Sequence, residues 1–174
     1  MQIIHKIEIT PMSVVLDGAP IVVSEQGEKM LVELYRRYVG DYPKFFKMDT
    51  LSRLGFIAAE LLLKEEQVDA VILANRSASI KNDTDYLATI SDDNYYPSPA
   101  LFVYTLPNIV TGEIAIRHHI NGETAFYILE NAEQLEPIIQ STLYAQPTTR
   151  LLAGWCECSE ANMFNAKLQI IWNN

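Results

Sequence analysis

Cysteine is scarce: the 174 residues hold two, Cys156 and Cys158. One residue apart, they span too short a loop for an unstrained disulfide. On a strand, alternation turns both to one face, which suits two small buried residues. As a metal pair they lack two further ligands, and the spacing to His118-His119 does not supply them. Basic residues are also few, 13 against 22 acidic, for a net charge of −9. A nucleic-acid binder needs a basic face, so the acid excess argues against that class. Long apolar runs are missing too. Residues 94–112 come nearest to a membrane span, but Pro97, Pro99, Pro107 and Asn108 interrupt them. The N-terminus has no long apolar core with a small-residue cleavage site, so the expected location is the cytoplasm. Phosphate-binding glycine loops and a G-x-S-x-G elbow are absent from the sequence.

Just under half of the chain is apolar and a fifth is charged. At this length a single domain over residues 1–174 can bury a full core without disulfides. Residues 2–10 alternate as a strand. Residues 14–16 and 21–23 bracket Asp17-Gly18, a hairpin signal. A helix is expected after Ser24, with Met30, Leu31, Leu34, Tyr35 and Tyr38 on one side and Gly40 at its end. A second starts at Asp49 or Thr50 and lines up Leu51, Leu54, Ile57, Ala58, Leu61 and Leu62. Residues 68–74 read as a buried parallel strand. A short helix capped by Asn82 or Asp83 carries Tyr86, Leu87 and Ile90. Pro97 and Pro99 open a helical region that Pro107 restarts, running on to about Ile120. Then come a turn at Asn121-Gly122, a strand over 124–129 and an amphipathic helix over 130–144. Strands follow over 151–158 and 168–172. This alternation predicts an α/β domain with a mostly parallel sheet flanked by helices.

Chemically suggestive residues have plain structural explanations. His118 and His119 fall at a helix end, where cations favour the dipole. Asp83, Asp85, Asp92 and Asp93 suit caps and solvated loops better than a metal site. Tyr95-Tyr96 reads as a packed loop anchor or an interface patch. No metal and no cofactor are expected.

Three segments in fixed order carry a family resemblance. Lys47-Met48-Asp49-Thr50-Leu51-Ser52-Arg53-Leu54-Gly55 with Ala58-Ala59 resembles the first long helix of β-ketoacyl-acyl-carrier-protein synthases. The stretch from Pro97-Ser98-Pro99 through Leu106-Pro107-Asn108 and Thr111-Gly112 to Asn121-Gly122 is similar to that family's approach to its active-site strand. Leu152-Ala153-Gly154-Trp155-Cys156-Glu157 resembles its later glycine-bearing strand, and residues 75–79 fall where it has a Gly/Ser-rich loop.

The resemblance implies a thiolase-like half: a mixed, mostly parallel five-stranded sheet between helices, matching the family's N-terminal half. It also implies a nucleophile position. The family's cysteine starts the helix after the strand at 124–129, and counting from Gly122 the matching position is near Asn131. Glu130 precedes it, and neither residue is a nucleophile. The family's paired histidines would lie in the other half, and His118 and His119 are not their counterparts. A degenerate site of this kind implies a non-catalytic subunit, as in chain-length-factor subunits that pair with an active synthase in fatty-acid or polyketide-type biosynthesis. The strand with Thr124, Phe126, Tyr127 and Ile128 is the implied interface, in a homodimer or a heterodimer with a ketosynthase. Acyl carrier protein is a further implied partner. The alternatives are one half of a split condensing enzyme, and a small-molecule-binding or structural module on half a thiolase fold.

Overall fold

The computed structural model describes residues 1–93, 96–145 and 148–173. Strand β1 (Gln2–Thr10) turns back through β2 (Ser13–Leu16) and β3 (Ala19–Ile21). Asp17 and Gly18 both have positive φ, 52° and 83°, as a type I′ hairpin turn requires. Helix α1 (Gly27–Tyr38) buries Met30, Leu31, Leu34 and Tyr35. It begins after Gln26, not Ser24. The Ser24 and Glu25 amides are already engaged, donating to the Glu33 carboxylate at 2.8–3.1 Å. After a 3-10 turn at Pro43–Lys47, Asp49 caps α2 (Thr50–Leu62) by accepting from the Ser52 amide at 3.0 Å. Eleven of its thirteen residues are buried. The apolar stripe read from sequence is therefore only part of its buried surface, because α1, α5 and the sheet all press on it.

Strand β4 (Ala70–Asn75) is buried at every position. Helices α3 (Ile80–Leu87), α4 (Pro99–Val103) and α5 (Ile109–His118) lead to β5 (Thr124–Ile128). Ser79, not Asn82 or Asp83, is the residue before α3. Its hydroxyl donates to the Thr105 carbonyl and Asp83, while Asn82 is buried and donates to the Leu101 carbonyl. A 3-10 turn (Ala132–Leu135) runs into α6 (Glu136–Tyr144), and β6 (Arg150–Glu160) and β7 (Met163–Trp172) follow.

The sheet has seven strands in the order β3-β2-β1-β7-β6-β4-β5. The expected five are all present; the hairpin strands β2 and β3 extend them at one edge. Five strands point one way and only β2 and β7 oppose them. Because β7 lies between β6 and β1, parallel hydrogen bonding is confined to β4 with its two neighbours. The last strand is also longer than expected. It pairs with β6 almost end to end through a tight turn at Asn162, whose φ is 59°.

Two cores sandwich the sheet. The larger, with Leu34, Phe45, Phe56, Leu73, Ile114 and Ile170, lies under α1, α2 and α5. The smaller, with Ile72, Leu135, Ile139 and Leu143, lies under α6. On the α6 side β1 and most of β7 are uncovered, Ile171 near the end of β7 being buried in the smaller core. Their inward residues Ile7, Ile9, Ala166, Leu168 and Ile170 alternate with Lys6, Glu8, Lys167 and Gln169. Lys167 and Glu8 pair across that face at 3.1 Å, a solvated surface. Among the described residues no helix is long and apolar enough to cross a membrane.

Candidate functional site

The carboxyl ends of β4, β5 and β6 converge, the place where ligands bind in open α/β sheets. The loop after β4 is held by Asn75, whose fully buried side chain brackets Ala78. Its Nδ2 donates to the Ala78 carbonyl at 2.9 Å and its Oδ1 accepts from the Ala78 amide at 2.8 Å. Ala78 takes φ 50° to close this turn. The Asn75 carbonyl accepts from the Leu129 amide at 2.8 Å, tying the loop to the end of β5. The Arg76 amide donates to Glu157 at 2.9 Å, and its guanidinium faces Glu130 at 3.7 Å in the open. Sequence reading placed these three segments separately; the fold brings Arg76, Glu130 and Glu157 together.

At the strand-to-helix junction Asn131 is a cap. Its Oδ1 accepts from the Gln134 amide at 3.3 Å, and the Gln134 side chain accepts from the Glu130 amide at 2.9 Å. This reciprocal arrangement satisfies the helix-start amides that would otherwise face a bound group. The two thiols are elsewhere. Cys156 and Cys158 lie buried on β6, on the face under α2, and both are free. Burial pushes the Cys158 thiol up to about 12, with the Asp49 carboxylate adding to it, and lifts Cys156 well above the usual thiol range. Neither is a thiolate at neutral pH.

The histidine pair has a structural place. His118 ends α5 and its Nε2 lies 2.7 Å from Glu60 Oε1, while His119 closes the helix at φ 55°. Arg117 reaches both Glu60 and Asp41, at 3.2 and 2.7 Å. Nearby, buried Glu113 accepts from the Tyr42 hydroxyl at 3.0 Å and pairs with Lys44. Asp85 pairs with Lys81, and Asp83 accepts from Ser79. Among the described residues no group of three or more acidic, histidine or cysteine side chains is placed to hold a metal. Tyr96 is exposed, and Tyr95 lies outside the described residues.

These pairs set a pH dependence. Burial alone would raise the Glu60 pKa, but the close His118 ring and the hydrogen bonds and charge of Arg117 hold it below the ordinary value. Asp69 is likewise held low against its burial, by the Arg150 and Thr149 amides and the Thr149 hydroxyl. A depressed folded pKa stabilises above the unfolded value and loses that contribution as pH falls through the folded one. Asp49, raised by burial, has the opposite sign. Asp17 is also held low against its burial, by the Lys6 amide and His5, and Glu33 by the Glu25 and Ser24 amides, so four depressed carboxylates oppose one raised and the urea midpoint should decline below about pH 4. A midpoint that rose on acidification would contradict this assignment.

Strand β5 forms one end of the sheet. Glu123 accepts from Val71 and Leu129 donates to Asn75, both at 2.8 Å. Odd-numbered residues therefore bond to β4, and Thr124, Phe126 and Ile128 turn their amides and carbonyls outward. No charged residue interrupts the strand. The opposite edge, β3, is three residues long and contains Pro20, a blunted edge where β5 is an open one.

No protein-family model matches the sequence, and neither does any curated protein sequence. Solved structures do match the fold. One is a ketosynthase in complex with its chain length factor from Xenorhabdus doucetiae, at TM-score 0.70 and 13% identity, covering 99% of this chain and 79% of the matched chain. Another is the ishigamide ketosynthase/chain length factor, at TM-score 0.72 and 16% identity, covering 98% of this chain and 61% of the other. The chain thus has the α/β, thiolase-like fold of ketosynthase-type proteins.

Proposed function

We propose that this chain is a non-catalytic ketosynthase-like subunit, acting as one domain in the cytoplasm. It pairs with a condensing enzyme of fatty-acid or polyketide-type biosynthesis, and acyl carrier protein is the accompanying partner class. The observation that carries this reading is the junction after β5. Asn131 and Gln134 cap each other's segment there, and the only thiols are buried on another strand. The likeness to ketosynthase and chain-length-factor structures supports it.

The open β5 edge, with Thr124, Phe126, Tyr127 and Ile128, is the pairing surface of this proposal. Tagged chain recovered from its native cell should bring down a ketosynthase that carries the active-site cysteine, in about equal amount. Recovery of the chain alone, with a strictly monomeric mass across micromolar concentrations, would refute the proposal.

A further inference from the structure

The positive charge of this acidic chain is unevenly placed. Residues 27–53 hold six of the 13 basic residues and four of the 22 acidic ones, so the stretch is net positive. Elsewhere the cations are mostly neutralised: Arg76, Lys81, Arg117, Arg150 and Lys167 each pair with a carboxylate. On the outer side of α1, Lys29 and Arg36 have no ion pair or hydrogen bond among the described residues, and both are exposed. Lys29, Val32 and Arg36 follow one another at helical spacing, with Arg37 beside them. They line a groove of about 650 Å³ between α1 and the chain at Ser24.

The helix dipole explains part of this pattern and fails at the rest. Arg36 and Arg37 sit in the last turn, where cations are favoured. Lys29 sits in the first turn, where a cation is disfavoured. The acid within the stripe is already engaged, since Glu33 accepts from the Ser24 and Glu25 amides. Glu25 also lines the groove, one opposing charge against three cations. Arg37 is held in place, donating to the Val22 carbonyl at 2.7 Å with its guanidinium over the Tyr38 ring.

We propose that the α1 groove lined by Lys29, Val32, Arg36 and Arg37 docks an acidic segment of a partner protein. Charge complementarity selects the partner: two unpaired cations and a fixed arginine flank one apolar position. The groove is shallow and open, which suits an extended or helical segment better than a small metabolite. This surface is separate from β5, and the inference does not rest on pairing there.

A fluorescein-labelled peptide of alternating Glu and Leu is the probe, read by anisotropy with the full chain at low salt. The chain should bind it saturably and more weakly as salt rises. The double variant Lys29→Glu, Arg36→Glu should bind at least about tenfold more weakly. Lys64→Glu, which removes an exposed cation elsewhere, should bind as the parent does. Circular dichroism checks that each variant is folded. No saturable binding by the parent, unchanged binding by the double variant, or an equal loss in Lys64→Glu would each overturn the proposal. So would anionic phospholipid vesicles that bind through Lys29 and Arg36 while the peptide does not.

Discussion

Ile128→Pro should leave the chain folded and weaken the proposed β5 pairing about 100-fold. Ile128 is 54% exposed, so little core contact is lost with its side chain. Its amide faces away from β4, as the Leu129-to-Asn75 bond next to it requires. Proline therefore removes no bond within the sheet; it takes away a donor that only an incoming strand would use. The ring also stands in the path of that strand. One lost bond costs about 1 kcal/mol, and the steric block adds to it. The dissociation constant should rise about 100-fold, near 3 kcal/mol. Sedimentation equilibrium at matched concentrations reads this directly. Val22→Lys, beyond the β3 edge, should leave the mass unchanged. An Ile128→Pro chain that still paired, or a Val22→Lys chain that did not, would move the interface elsewhere.

Gly154→Ala should be the most damaging single methyl group in the sheet. Gly154 sits in β6, between β4 and β7, at φ 157°. A Cβ there would lie 2.1 Å from the Lys167 carbonyl oxygen and 2.7 Å from the Leu168 Cα, both backbone atoms of β7. Backbone in the middle of a sheet cannot swing aside as a side-chain tip can. The two strands must part locally, and the longest pairing in the protein is disturbed. A loss of about 3 kcal/mol follows from forced overpacking. It should appear as a lower urea midpoint at an unchanged slope. A loss below about 1 kcal/mol would mean that β6 and β7 adjust more freely than the packing indicates.

Local signals were the readable part of this fold. Asp17-Gly18 announced its hairpin, Asp49 its helix, and Pro107 the joint between α4 and α5, because each acts within a few residues. The all-apolar run in β4 marked a strand buried on both faces. Strand order was out of reach, since nothing local tells β7 to lie between β6 and β1. The full length of β7 was missed because Asn165, Lys167 and Gln169 dilute its apolar residues. They are the solvent-facing half of an alternation that runs through Phe164, Ala166, Leu168 and Ile170. In the site, Asn131 is reached only through the family resemblance, since Glu130 and Glu133 are also local candidates for the helix start. The contact of Arg76 with Glu157 was not readable, for they are 81 positions apart and meet only once β4 and β6 pair. The unpaired cations of α1 stand out only against the pairs made by cations elsewhere.

Intact-mass spectrometry after incubation with an acyl-carrier thioester, with and without a ketosynthase, tests most directly the proposal that this chain has no acyl-accepting nucleophile. The mass of this chain should stay unchanged while the ketosynthase gains one acyl group. A stoichiometric acyl adduct on this chain, mapped to the segment around Asn131 or to either cysteine, would contradict the account.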